Sequence, residues 1–150
     1  MPGALPKGLK PGTLLRHSRF YASANGELLP KFLLALAPTR GGDVVFRVLT
    51  SQHAELRPEA PPCHHGNPYP GFYLGVLDPS VGLGKKSWLD LRGLEDADGI
   101  ELAKLLDAGI VAAVGELALA TLRAAMECAA GAEDTTQAQE RAIRDQLAAL

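Results

Sequence analysis

Gly41-Gly42-Asp43-Val44-Val45-Phe46-Arg47-Val48-Leu49-Thr50-Ser51-Gln52 reads as a turn followed by a buried strand whose exit carries two hydroxyls and an amide. Period-two alternation sets Val44, Phe46, Val48, Thr50 and Gln52 on one face. Three apolar residues fill a core, and two polar ones emerge where it ends. A strand of this kind brings polar groups to the rim of a sheet.

The flanking segments repeat the pattern. Gly12 opens a strand over 13–21, where Leu14 and Phe20 alternate with Leu15, His17 and Arg19. Asn25-Gly26 is a strong hairpin signal before a second strand over 29–37. Phe32, Leu34 and Leu36 form its core face, and Lys31 points the other way. Segment 55–70 carries five prolines, which lack the backbone donor a sheet interior needs, and is predicted to be a loop. Two further strands are expected over 71–77 and 86–91, with Trp88 as an anchor of the core or its rim. Five short strands with tight turns predict a small barrel.

Composition then turns helical. Asp98 is a plausible N-cap for a helix over 99–108, with Glu101 at its third position and Gly109 as a stop. A second helix is predicted over 112–130, with Leu117, Leu119 and Leu122 inward and Glu116, Arg123 and Glu127 outward. A third is predicted over 135–150, its stripe of Ile143, Leu147 and Leu150 buried on the barrel or on another subunit. The expected organisation is a flexible leader over 1–11, a barrel with helices over 12–130 and a helical extension over 131–150.

The 150 residues suit one domain, and no apolar run reaches the ~18 residues of a membrane span. Residues 1–10 lack the apolar stretch of a signal peptide, so a cytoplasmic location is expected. Cys63 and Cys128 lie far apart in unlike contexts, which favours reduced thiols in such a chain. Up to Arg57 there are eight Lys/Arg and three acids, a balance of +5. From Pro58 there are seven bases and fourteen acids, a balance of −7. A basic first part suits phosphate or an acidic partner, or is ordinary surface charge.

As an ordered set, Gly12-Thr13-Leu14-Leu15, Lys31-Phe32-Leu33-Leu34-Ala35-Leu36, Leu49-Thr50-Ser51-Gln52, Asp90-Leu91-Arg92-Gly93-Leu94 and the segments 100–109 and 114–126 resemble the PemK/MazF-type toxins. The resemblance covers roughly residues 12–128. It implies an SH3-like barrel, usually a homodimer, that cuts single-stranded RNA without metal or cofactor and meets an antitoxin-like partner. By position the family's catalytic Arg and Thr correspond to Lys31 and Thr50, and Phe32 stands where the family has Pro. A Lys supplies a single flexible charge where Arg supplies a planar fork, and it acts as a base only when desolvated. An inactive barrel that binds nucleic acid or protein is the alternative function.

Either His17 or His53 is a candidate to carry a proton near neutral pH. Arg16, Arg19, Ser51, Gln52, Lys85 and Lys86 are candidate RNA contacts, and Tyr69 a candidate base-stacking ring. Each has a plain structural alternative: a solvated strand charge, a hydroxyl bonded to the next strand, a half-buried ring. Cys63-His64-His65 are consecutive, so all three cannot easily converge on one tetrahedral ion, and no metal is expected.

Overall fold

The structure, a computed structural model, describes residues 3–150; Met1 and Pro2 of the expected leader lie outside them. Seven antiparallel strands form one sheet, in the order β4-β5-β6-β3-β2-β1-β7. They are β1 (Thr13–Ala22), β2 (Leu28–Pro38), β3 (Val44–Thr50), β4 (Cys63–His64), β5 (Gly71–Val76), β6 (Lys86–Asp90) and β7 (Val111–Glu116). Three helices follow the fifth expected strand or interrupt what comes after it: α1 (Gly99–Asp107), α2 (Leu119–Ala130) and α3 (Gln137–Ala149). The mainly β architecture with three helices matches the expectation.

The sheet does not close, so the expected SH3-like barrel gives way to an open sheet ending in β4 and β7. Its apolar surface is covered by helices instead. Leu14, Leu34, Leu36, Val45, Leu49 and Leu89 face α2 and α3, packing with Leu122, Met126 and Ile143. Leu15, Leu33, Ala35, Val44, Val48 and Val111 pack on the other face with Leu102, Leu105 and Leu106 of α1. Alternation in β1, β2 and β3 is therefore apolar on both faces over the helix-covered stretch, as strands buried on both sides require. Leu5 and Leu9 pack against the α1-side cluster as well.

Two elements change class, and the first is Cys63–His64, which lie in the segment expected to be a loop yet form the edge strand β4, where no proline interrupts the ladder. Residues 112–116, expected within the second helix, belong to β7, paired to β1 through Leu15↔Ala113 and His17↔Val111. Ala favours helix, but pairing with the exposed edge of β1 outweighs that weak local preference. Leu117 continues the pairing, donating its N–H to the Gly12 carbonyl at 3.0 Å. The second helix thus starts at Leu119, whose side chain is exposed rather than in the core. Gly12 has φ +92°, and a Cβ there would stand 2.7 Å from Leu122 Cδ2, so this crossing of β1 and α2 needs glycine.

The other helices form where predicted. The Asp98 carboxylate accepts from the Glu101 N–H at 2.9 Å and starts α1. Thr136 caps α3 in a reciprocal box with Gln139. Ile143 is wholly buried, and Leu147 and Leu150 pack beside it within the same chain.

The expectation of two free thiols is overturned. Cys63 on β4 and Cys128 on α2 form a disulfide with Cα atoms 5.7 Å apart. The 65-residue separation hid a proximity that arises because α2 packs against the β4–β5 end of the sheet. In the chain-entropy account, closing a loop of that length stabilises the fold by about 4 kcal/mol.

Candidate functional site

The β1–β2 register pairs His17 with Lys31. The β2–β3 pairing runs to Leu33↔Val48, and beyond it β3 pairs with β6 through Leu49↔Leu89 and Thr50↔Trp88. Lys31 and Thr50 line one groove of about 450 Å³ with Ser51, Gln52 and Lys85. A second lobe, also about 450 Å³, shares Lys31 and Gln52 and adds Tyr21, Asp90 and Arg92. Thr50 is buried at the end of β3, where its Oγ1 accepts from the Gln52 N–H at 3.1 Å. Its own O–H stays available as a donor.

Asp90 and Arg92 complete the charged part of the groove. Asp90 is 4% exposed, and its carboxylate takes a fork from Arg92: NH2 donates at 2.7 Å and Nε at 3.1 Å. The Arg92 side chain is two-thirds exposed, at 66%. Burial pushes the Asp90 carboxyl up, but hydrogen bonds from Arg92 and the charges of Arg92 and Arg57 outweigh it and hold it below the ordinary carboxylate value. Acidification should therefore weaken the fold here. With the folded value below the unfolded one of about 3.9, the contribution is complete above about pH 5 and fades as pH falls through the folded value. In acid unfolding, Asp90→Asn should flatten that part of the stability curve; an unchanged slope would remove Asp90 as its source.

Burial also lowers the Lys31 pKa; Asp90 opposes this, and Arg92 and Arg57 reinforce it. Arg57 lies behind the groove. Its Nε donates to the Gln52 carbonyl at 2.9 Å, and its guanidinium sits 4.9 Å from the centre of the Tyr69 ring. Its NH1 is buried with no hydrogen-bond partner among the described residues. Three cations, Lys31, Arg57 and Arg92, thus surround one carboxylate, an arrangement that attracts an anion.

The structure brings Lys31, Thr50, Ser51, Gln52 and Lys85 to the groove and sets the other candidates elsewhere. His17 lines an apolar cavity of about 250 Å³ between the sheet and α1, where burial lowers its pKa. His53 stacks on Tyr69 at 4.8 Å, and Tyr69 also carries Arg57, so its ring is already occupied. Arg16 pairs with Phe32, one residue off the Lys31 row, on the opposite face. Arg19 is exposed and donates its N–H to His17 Nδ1. Lys86 reaches out to Glu59 at 2.9 Å. Arg57, Asp90 and Arg92 are not among the candidate site residues expected from the sequence. Arg57 sits in a proline-rich loop, and Asp90 and Arg92 in a segment notable only for its resemblance, and none carries a local signal of convergence.

Comparison with protein-family models, characterised proteins and solved structures returns no match.

Proposed function

We propose that the groove binds single-stranded RNA and cuts it without a metal ion. The observation that carries this reading is that Lys31 and Thr50 line one groove, with Arg92 in its adjoining lobe. A phosphate held between Lys31 and Arg92 meets positive charge on both sides. Lys31, its pKa lowered by burial, takes the proton of the ribose 2′-hydroxyl in its unprotonated form. The 2′-oxygen then bonds to the neighbouring phosphorus, and the bond from phosphorus to the 5′-oxygen breaks. The leaving oxygen takes a proton from solvent. A 2′,3′-cyclic phosphate and a 5′-hydroxyl remain. Thr50 donates to a non-bridging oxygen, and Arg92 and Arg57 offset the added charge.

A second reading, an RNA-binding module without cleavage, is favoured by one observation. Neither His17 nor His53 lines the groove, and Asp90 is engaged by Arg92, so the amines of Lys31 and Lys85 are left to accept a proton there. The same proposal carries a homodimer and an antitoxin-like protein partner, which rest on the sequence resemblance alone, together with the cytoplasmic location expected from the sequence. No helix among the described residues is long and apolar enough to cross a membrane.

Mixed single-stranded RNA incubated with the protein in EDTA should yield cyclic-phosphate ends. Binding should weaken steeply with salt, as phosphate contacts require. Salt-sensitive binding with intact RNA would leave the module reading, and no binding at any salt would remove RNA altogether.

A further inference from the structure

Away from the groove, Cys63 of β4, His65 two residues on and Cys128 of α2 bring three ligand-type side chains together. We propose that, once the Cys63–Cys128 bond is reduced, these residues hold a zinc ion. Their ligand atoms lie within 4.8 Å of one another. His65 Nε2 is 3.4 Å from Cys63 Sγ and 3.5 Å from Cys128 Sγ. Tetrahedral zinc, with Zn–N near 2.1 Å and Zn–S near 2.3 Å, sets such a nitrogen about 3.6 Å from each sulfur. The imidazole thus already stands at ligand spacing from both.

The two sulfurs of such a site stand about 3.8 Å apart. The Cα separation of 5.7 Å lets side-chain rotation reach that spacing with the backbone in place. Period two along the chain puts Cys63 and His65 on one side and His64 on the other. The His64 ring packs over Gly66, where a Cβ would stand 2.9 Å from it. The consecutive triplet therefore does not need to converge: two of its members do, and α2 supplies the third ligand. His65 Nε2 now contacts the Cys128 carbonyl at 2.8 Å, a hydrogen bond that coordination replaces. Solvent fills the fourth position from the adjoining cavity of about 140 Å³, lined by His65, Glu133 and Asp134.

The electron balance is simple. A dithiol reductant gives two electrons and two protons to the disulfide and becomes a disulfide itself. Zinc then displaces the two thiol protons, since thiolates are the ligands. Thiolate and imidazole donors suit zinc over the harder divalent ions. The ion ties β4 to α2 in a reducing compartment, where the disulfide does not persist.

Cobalt(II) alone is the probe. Protein reduced with dithiothreitol and freed of it by anaerobic gel filtration should bind one equivalent and show thiolate-to-cobalt absorption. Oxidised protein should not. Zinc should displace the cobalt and raise the melting temperature of the reduced chain. His65→Ala should weaken binding by more than about a hundredfold, beyond the loss expected for a merely supporting partner. His64→Ala should leave it unchanged. If reduction unfolds the chain, recovery of its circular dichroism with zinc supports the site, and failure to recover overturns it. A folded, reduced protein without thiolate–cobalt absorption, or undiminished binding by His65→Ala, overturns it as well.

Discussion

Replacing Lys31 by Arg, the residue that the resembled toxin pattern carries at this position, is expected to slow RNA cleavage strongly in this groove while leaving RNA binding nearly intact. The two side chains carry the same charge, so the phosphate still meets a cation on that wall of the groove. What Arg cannot do is give up its proton in the working pH range. Burial lowers the Lys31 pKa, which raises the unprotonated fraction that can accept the 2′-hydroxyl proton. Loss of that acceptor is expected to cost about 10²–10⁴-fold in rate. The pH profile carries the sign: wild-type cleavage climbs with pH toward the Lys31 pKa, below its ordinary value of about 10.4, and then levels off. Lys31→Arg lacks that climb. Lys31→Ala together with Thr50→Ala loses tight binding as well as cleavage. Single-turnover cleavage and equilibrium binding of one RNA across a pH series read all of these. Full activity in Lys31→Arg would assign the proton to another group.

The largest expected effect on stability falls on Gln139→Leu. Arg47 of β3 is wholly buried beneath α3, where its guanidinium needs acceptors. Gln139 Oε1 accepts from Arg47 NH2 at 3.1 Å and from the Thr136 N–H at 3.1 Å. Its Nε2 donates to the Leu94 carbonyl and to Asp96 Oδ1, both at 2.9 Å. One amide thereby uses its full hydrogen-bonding capacity and links the buried cation to Asp96. Leu fills the space but leaves Arg47 with the Phe46 carbonyl and a long 3.4 Å contact to Thr135. An undercompensated buried charge costs about 3 kcal/mol or more. For a chain of this size that is a drop of roughly 6–12 °C in melting temperature. Urea unfolding at pH 7 measures it, and a loss below about 1 kcal/mol would mean that water replaces the amide.

Arg47 also shows where the sequence stops informing. Its strand was legible because Val44, Phe46 and Val48 alternate, but the alternation does not say what covers Val45, Arg47 and Leu49 on the other face. Only the packing of α2 and α3 buries that face, and Gln139 of α3 turns Arg47 into the centre of a polar network. The groove was legible in the same partial way. Lys31 and Thr50 were named from strand positions and from a resemblance, whereas Asp90, Arg92 and Arg57 meet them through pairing of β3 with β6 and through a fold of the proline-rich loop.

What the sequence by itself determined is local. The β1–β3 strands, the Asn25-Gly26 turn, the Asp98-capped helix and the apolar stripe of α3 all follow from side-chain period, caps and turn residues within a short window. Tertiary structure alone decided that residues 111–116 pair with β1 and do not coil, that the sheet stays open under two helical layers, and that Cys128 meets Cys63 and His65. Each of these is settled between residues distant in the chain, where the free energy of pairing and burial exceeds the few tenths of a kcal/mol by which local propensities differ.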